Sequence, residues 1–207
     1  MKKDIIIDFD GVLFHTGEAT LSWLEKHYQI EIPRGNYTCG SSLHNLVSKH
    51  LPPNSPQIDE YELYELIGKE FLASMECHNN ILPLEYSQEV VRILSQDYTL
   101  HVATARLTLG RDVVKTMLDN FFPDCISSIH HVWHIEEDGK FYATTKKTFI
   151  DRLKNPLFFI DDSPREIEEV FGSVKTILLD PENHHTNMTG MNHRVNTWEQ
   201  ILDITGN

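Results

Sequence analysis

Four acidic residues, one threonine and a pair of lysines stand where short apolar runs of this chain end or a helical pattern begins. They are Asp8, Asp10, Thr104, Lys146, Lys147, Asp161 and Asp162. Four carboxylates cannot share a small dry site without strong repulsion, which raises some of their pKa values. A divalent cation relieves that repulsion, and a ligand set made only of oxygen atoms favours Mg²⁺. Beside such a cation, one carboxylate can act as a nucleophile towards a phosphoryl group.

The apolar runs around these residues predict that the polar groups converge. Runs typical of buried parallel strands occur at Ile5–Ile7, Leu100–Ala103, Ile126–Val132, Leu157–Ile160 and Thr176–Leu179. Helical patterns lie between them, at Gln88–Leu94, Asp112–Phe121, Thr148–Leu153 and Arg165–Phe171. This alternation predicts an α/β fold with a doubly wound, Rossmann-like parallel sheet. Because ligands bind such sheets at the carboxyl ends of the strands, we expect the polar groups to meet in one crevice there.

The stretch between the first two predicted strands has helical periodicity and almost no strand signal. Its helical patterns are Glu18–Tyr28, Leu43–Leu51 and Tyr61–Met75, and a proline-rich break precedes the last of them. We therefore expect residues 15–81 to form a small α-helical cap inserted after the first strand. Residues 1–14 and 82–207 are expected to form the α/β core, with a last short helix at Thr197–Leu202.

The charge balance argues against a polymeric nucleic acid as the partner. The 207 residues include 18 basic and 31 acidic side chains, a net charge of −13. Binding to a long polyanion depends on Lys and Arg neutralising its phosphates, so this balance disfavours duplex DNA and a polynucleotide end-phosphatase activity. A small phosphorylated molecule stays compatible with the charge, since a bound divalent cation can invert the local field.

The sequence also bears on where in the cell the protein is located, but it does not indicate the oligomeric state. No apolar run approaches the roughly 18–20 residues that a membrane helix needs, so no membrane association is expected. Asp4, Asp8 and Asp10 interrupt the apolar N-terminal stretch, which is unlike a signal peptide. The cysteines are odd in number and have no paired spacing, which favours a cytoplasmic location; they are Cys39, Cys77 and Cys125. The oligomeric state does not follow from the sequence.

The ordered motifs resemble those of the haloacid dehalogenase-like (HAD) phosphatase superfamily. The motifs are Asp8-Phe9-Asp10-Gly11-Val12, a strand ending in Thr104, a lysine, and a strand ending in Asp161-Asp162. They occur in the expected order and cover the chain outside the cap. The resemblance implies a HAD-like core, Mg²⁺ as cofactor and a phosphoaspartate intermediate.

The resemblance also implies a role for each matching residue. Asp8 would be the nucleophile, and Asp10 would be the general acid that later activates water. Asp8, the backbone carbonyl of Asp10, and Asp161 and Asp162 would bind the metal, and the sequence leaves open which of the last two binds it directly. The residues expected around the phosphate are Phe9 and Asp10 through backbone N–H groups, Thr104, Ala105, Arg106 and Lys147. Lys147 would also hold Asp8.

Two of these assignments keep an alternative. Lys146 is the rival of Lys147, which we prefer because the Lys-Thr-apolar-apolar run that it begins resembles the third motif of relatives. Arg106 could contact the substrate or pair with an acidic side chain. The structure can distinguish these options through the contacts of each side chain.

The second aspartate of the first motif favours a phosphatase. In the superfamily an acid at the position of Asp10 accompanies phosphoryl chemistry, and dehalogenases lack it. Chain length, cap position and the start of the chain are loosely similar to the 5'(3')-deoxyribonucleotidase branch, so a nucleoside monophosphate is the leading substrate. The alternatives are a sugar- or glycolate-phosphate phosphatase, a phosphomutase, or a catalytically silent HAD-like binding or regulatory module.

Overall fold

The computed structural model of the protein describes residues 2–34, 43–135 and 141–206, and Cys39 lies outside these ranges. Within them one mixed sheet has the order β4-β3-β2-β1-β5-β6-β7. Its strands are β1 (Lys3–Ile7), β2 (Tyr98–Leu107), β3 (Ile126–Ile135), β4 (Phe141–Ala143), β5 (Pro156–Asp161), β6 (Lys175–Leu179) and β7 (His193–Val195). All neighbours pair in parallel except β3 and β4, which are antiparallel. The predicted α/β fold with its parallel sheet is therefore confirmed.

Helices flank this sheet and fill the connection between β1 and β2. They are α1 (Thr16–Tyr28), α2 (Leu43–His50), α3 (Glu60–Leu66), α4 (Met75–His78), α5 (Ser87–Asp97), α6 (Arg111–Phe121), α7 (Lys146–Ile150), α8 (Pro164–Val170) and α9 (Glu199–Thr205). A π-helical segment, Ile67–Leu72, follows α3 directly and leads to α4, and a 3-10 turn, Thr108–Gly110, precedes α6. In the described ranges no helix is both long enough and apolar enough to cross a membrane.

Alternating side chains of β1 place helices on both faces of the sheet. Ile5 and Ile7 are fully buried in the larger apolar cluster, which also takes in residues of α1, α5 and α6. Ile6 is fully buried on the opposite face, where Ile150 of α7 and Ile167 of α8 cover it. Successive residues of a strand point to opposite faces, so a run of three isoleucines requires cover on both sides.

Two predicted helices differ from the observed ones for local reasons. The expected single helix Tyr61–Met75 is three pieces: α3, the π-helical segment and α4, which begins after Ser74, whose hydroxyl accepts the backbone N–H of Cys77. The helix expected at Thr148–Leu153 starts earlier, as α7, because the Thr145 hydroxyl accepts the N–H of Thr148 and caps that helix. This shift places both lysines in the first turn of α7.

The segment predicted as a cap, residues 15–81, leaves and rejoins the rest of the chain at one place. The N–H of His15 donates to the Leu82 carbonyl at 3.1 Å, and the N–H of Leu84 donates to the Leu13 carbonyl at 2.9 Å. These two hydrogen bonds therefore tie the start of the segment to its end. We keep the name cap segment for residues 15–81, whose status as a separate domain stays a prediction.

Candidate active site

The carboxyl ends of β1 and β5 bring three aspartates together. Asp8 follows β1 and donates its N–H to the Ile160 carbonyl of β5 at 2.9 Å. One carboxylate oxygen from each of Asp8, Asp161 and Asp162 lies within 4.8 Å of the others. Asp8 and Asp161 are buried, and Asp162 is half-buried. The expected convergence of these side chains is thus observed.

Lys146 is the cation of this cluster, and the prediction that Lys147 lies against Asp8 is wrong. Nζ of Lys146 lies 2.7 Å from Oδ1 of Asp8 and 2.6 Å from Oδ2 of Asp161, with the lysine side chain 4% exposed. Nζ of Lys147 instead donates to Asp151, one helical turn onward, and to Ser173. Consecutive residues of a helix point about 100° apart, so only one of the two lysines can face the strands.

The electrostatics of the cluster fit a divalent cation. Burial opposes the charged form of Lys146, but Asp161 and Asp8 outweigh it and raise the lysine pKa, so the ammonium is retained. Burial also raises the pKa of Asp8 well above its ordinary value; Lys146 opposes this shift, and Asp161 and Asp162 add to it. With all three carboxyl groups ionised, one ammonium leaves two net negative charges, which a divalent cation with oxygen ligands would balance.

A glycine after Asp10 lets Asp162 reach the cluster. Gly11 has φ +74°, a left-handed conformation that side chains other than glycine adopt at a cost. A Cβ on this residue would lie 2.1 Å from Oδ2 of Asp162. The turn around Gly11 therefore provides the space in which the Asp162 carboxylate lies.

Asp10 does not join the lysine but is held by Arg106. Nε of Arg106 donates to Oδ2 of Asp10 at 2.9 Å, and Nη2 donates to Oδ1 at 2.8 Å. The arginine side chain is 1% exposed and its guanidinium also lies over the ring of Phe9. Burial would raise the pKa of Asp10, but the charge and hydrogen bonds of Arg106 outweigh it and hold that pKa below its ordinary value. Of the two options for Arg106, the structure shows the pairing with an acid.

The arginine has a further partner that the sequence did not reveal. Nη1 of Arg106 lies 2.9 Å from Nε2 of His78, at the end of α4 in the cap segment. The same nitrogen lies 3.5 Å from the Leu72 carbonyl. No motif marks His78, because its contact with Arg106 depends on how α4 packs against the sheet.

The other residues expected around a phosphate have mixed positions. Thr104 is fully buried near the end of β2, and its hydroxyl accepts the N–H of Arg106 at 3.2 Å. Ala105 is exposed. The Phe9 side chain belongs to the core, with its ring 4.8 Å from that of Phe14, so only its backbone could face a ligand. Their roles towards a substrate stay predictions.

Comparison with solved structures places this arrangement in a known fold. A haloacid dehalogenase-like family hydrolase from Streptococcus pneumoniae superimposes with a TM-score of 0.68, at 13% identity over 99% of this chain and 98% of that one. The chain has a HAD-like fold. No family model and no curated protein matches it in sequence.

Two further HAD-like structures are similar over nearly their whole length. The HAD hydrolase YfnB from Bacillus subtilis, described as bound to magnesium, has a TM-score of 0.63 at 14% identity, over 100% of this chain and 99% of that one. A Lactobacillus delbrueckii protein described as a phosphoglycolate phosphatase has a TM-score of 0.64 at 16% identity, with 99% and 98% coverage. At such identities the likeness establishes the fold alone, and one fold hosts many activities.

Proposed function

We propose that this protein hydrolyses a small phosphomonoester through a phosphoaspartate formed on Asp8. The observation that carries the proposal is the buried contact of Lys146 with both Asp8 and Asp161, with Asp10 two residues after Asp8. A carboxylate held by an ammonium at the end of a central strand is oriented for attack. The likeness to HAD-like hydrolases supports the same reaction class.

Asp8 would transfer the phosphoryl group in two steps. In the first, a carboxylate oxygen of Asp8 bonds to phosphorus, the ester P–O bond breaks, and the leaving oxygen takes a proton from Asp10. In the second, water attacks the phosphorus of the phosphoaspartate, Asp10 takes the proton of that water, and Asp8 and inorganic phosphate are released. Because Lys146 engages Oδ1 of Asp8, Oδ2 is the oxygen that we assign to the attack.

The contact between Asp10 and Arg106 fits the second step directly. Arg106 stabilises the carboxylate form of Asp10, which is the form that accepts a proton from water. For the first step Asp10 needs a proton. The negative charge of a bound phosphomonoester raises the pKa of a neighbouring carboxyl group, so substrate binding would favour protonation of Asp10.

A divalent cation, for which we propose Mg²⁺, fits the oxygen atoms of this site. Asp8, Asp161, Asp162 and the backbone carbonyl of Asp10 would hold it, and a structural neighbour is described as magnesium-bound. When bound, the cation would supply positive charge that screens the phosphoryl oxygens during transfer. Lys146 would add a second, fixed positive charge on the side of Asp161.

The substrate that we propose first is a nucleoside monophosphate, as in the 5'-nucleotidases of the branch that the sequence loosely resembles. A glycolate- or sugar-phosphate is the second candidate, since one neighbour is described as a phosphoglycolate phosphatase. Both substrates are small phosphomonoesters and use the same Asp8 chemistry. They differ only in the group esterified to the phosphate, which the cap segment would have to accommodate.

The experiment is phosphate release from a panel of phosphomonoesters with Mg²⁺. The panel holds AMP and other 5'- and 3'-nucleotides, ribose 5-phosphate, phosphoglycolate and 4-nitrophenyl phosphate. Asp8→Asn should abolish release, whereas Asp112→Asn, at an exposed site on α6, should leave it unchanged. Full activity of Asp8→Asn, or full activity in a chelator, would refute the mechanism.

A further inference from the structure

Arg106 joins the carboxylate of Asp10 to the cap segment. Two of its nitrogens, Nε and Nη2, donate to Asp10, and the third, Nη1, points to His78. His78 and Arg106 are each 2% exposed, so water does not compete for the contact between them. A guanidinium whose three nitrogens all have partners is fixed in orientation.

His78 is the acceptor in its contact with Arg106. Nδ1 of His78 lies 2.7 Å from the Ser74 carbonyl, which can only accept, so Nδ1 carries the proton. In a neutral imidazole the other nitrogen, Nε2, is then an acceptor, and a guanidinium can only donate. Burial and the charge of Arg106 lower the pKa of His78 to about 4, which keeps the ring neutral near pH 7.

We propose that His78 is a positioning residue for Asp10, acting through Arg106, so that the cap segment helps to aim the general acid. This inference rests on the proposed phosphatase function. In the described part of the chain His78 is hydrogen-bonded to Arg106 and not to Asp8 or Asp10, so its effect passes through the guanidinium.

Loss of the His78 acceptor should release the guanidinium. Nη1 would keep only the Leu72 carbonyl, at 3.5 Å, as a partner in the described residues. A buried charged donor without a good acceptor is costly, so Arg106 would turn towards another one. The hydrogen bonds from Arg106 that orient Asp10 would then lengthen or break.

The backbone around Arg106 and His78 is closely packed. A substitution at His78 should therefore act mainly on its hydrogen bond with Arg106 and not on the wider fold. A Cβ on Gly110 would lie 2.9 Å from the Leu72 carbonyl, so the 3-10 turn before α6 packs directly on the end of the π-helical segment. The Phe71 ring lies 5.0 Å from the imidazole of His78, between ring centroids. A phenylalanine in place of His78 would keep a ring beside Phe71 and remove the polar atoms, but its larger ring would press on Nη1 of Arg106, so His78→Leu is needed beside it.

The test uses the leaving group of the substrate as the readout. An alkyl phosphate needs a proton donor for its leaving oxygen, whereas 4-nitrophenolate is stable without one. We would measure kcat/KM, which covers steps up to phosphoryl transfer, for the best alkyl phosphate of the panel and for 4-nitrophenyl phosphate. The variants are His78→Phe, His78→Leu, His78→Gln and, as a control in the same segment, His27→Phe, which is exposed on α1.

We expect the acceptor-free variants, Phe and Leu, to lose about tenfold or more in kcat/KM for the alkyl phosphate and less than about threefold for the aryl phosphate. His78→Gln, which offers an amide oxygen, should recover most of the loss, and His27→Phe should match wild type. Thermal melts establish which variants are folded. Because glutamine offers an acceptor oxygen but no ring, His78→Gln by itself distinguishes a role of His78 as a hydrogen-bond acceptor from a role in ring packing.

Equal losses for both leaving groups in folded acceptor-free variants would overturn the inference, as would a His78→Gln variant no better than His78→Phe. These results differ from failure of the proposed function. In that case the wild-type protein itself would release no phosphate from either substrate.

Discussion

Nζ of Lys146 lies 2.7 Å from Oδ1 of Asp8, although the two residues are 138 positions apart in the sequence. The neighbouring Lys147 pairs with Asp151 on the other side of α7. Of these two adjacent lysines in one helical turn, Lys146 is buried and Lys147 faces solvent. Single substitutions can therefore test each lysine separately.

Lys146→Met should inactivate the protein and destabilise it. Without the ammonium, Asp8 and Asp161 remain buried and uncompensated, and removing one partner of a buried ion pair costs about 3–5 kcal/mol. Lys147→Met should change stability by less than about 0.5 kcal/mol and retain activity, because its side chain is 37% exposed and its ion pair lies at the surface. Urea denaturation and phosphate release, run on both variants, measure the difference. An inactive Lys147→Met beside an active Lys146→Met would contradict the assignment.

Gly11→Ala should weaken the metal site beyond its effect on the backbone. The new Cβ would meet the Asp162 carboxylate, whereas at Gly172, which has φ +86°, a Cβ would meet nothing within 4 Å. Gly172→Ala thus carries the left-handed strain alone, on the order of 1 kcal/mol. We expect the apparent Mg²⁺ requirement of Gly11→Ala to rise at least about tenfold in activity titrations while that of Gly172→Ala stays at the wild-type value. Similar Mg²⁺ curves for both variants would remove the role given to the Gly11 turn.

Magnesium should stabilise the protein even without substrate. A cation that relieves the repulsion among Asp8, Asp161 and Asp162 binds the folded state, and at 100 times its dissociation constant it adds about 2.7 kcal/mol to the free energy of unfolding. Melting curves with Mg²⁺ or with a chelator measure this effect. Asp162→Asn should reduce the stabilisation, and Asp124→Asn, on a surface turn, should preserve it. Ca²⁺ should bind yet inhibit turnover, since the larger ion relaxes the octahedral geometry of Mg²⁺.

Stability should fall in acid partly through Asp180. Its carboxylate accepts the N–H groups of His184 and His185 and a hydrogen bond from Arg194. Burial would raise the pKa of Asp180, but these contacts outweigh it and hold the pKa below its ordinary value. A group with a lowered folded-state pKa stabilises above its unfolded pKa, and that contribution is lost as the pH falls through the folded value.

The variant Asp180→Asn isolates this contribution. The difference in unfolding free energy between wild type and Asp180→Asn should be constant above about pH 5 and shrink below about pH 4. Urea melts at several pH values measure it, and Asp203→Asn, on the exposed side of α9, serves as the control. A difference that stays constant down to pH 3 would contradict the account.

The sequence predicted those parts of the site that depend on strands. A run such as Ile5–Ile7, β-branched and apolar at every position, favours a strand buried on both faces, and parallel strands end at one edge. The meeting of Asp8 with Asp161 and Asp162 follows from that rule. The three-residue strands β4 and β7 were missed because each is too short to show a period of two.

Features that depend on helix phase or on packing between elements were not predictable in this way. The choice between Lys146 and Lys147 depends on where α7 begins, and the Thr145 cap shifted that start by two residues from the predicted one. The contact of Arg106 with His78 depends on how the cap segment packs on the sheet. Sequence periodicity shows which face of a helix is apolar but not which distant polar group it meets.

The backbone hydrogen bonds of His15 with Leu82 and of Leu84 with Leu13 have an evolutionary consequence. Because the inserted segment starts and ends side by side, its length and sequence can change while the strands and their terminal aspartates keep their places. Such a junction would let related chains exchange one inserted segment for another as a unit. In this chain the contact between Arg106 and His78 would constrain any such exchange, since a new segment would have to supply its own acceptor for the guanidinium.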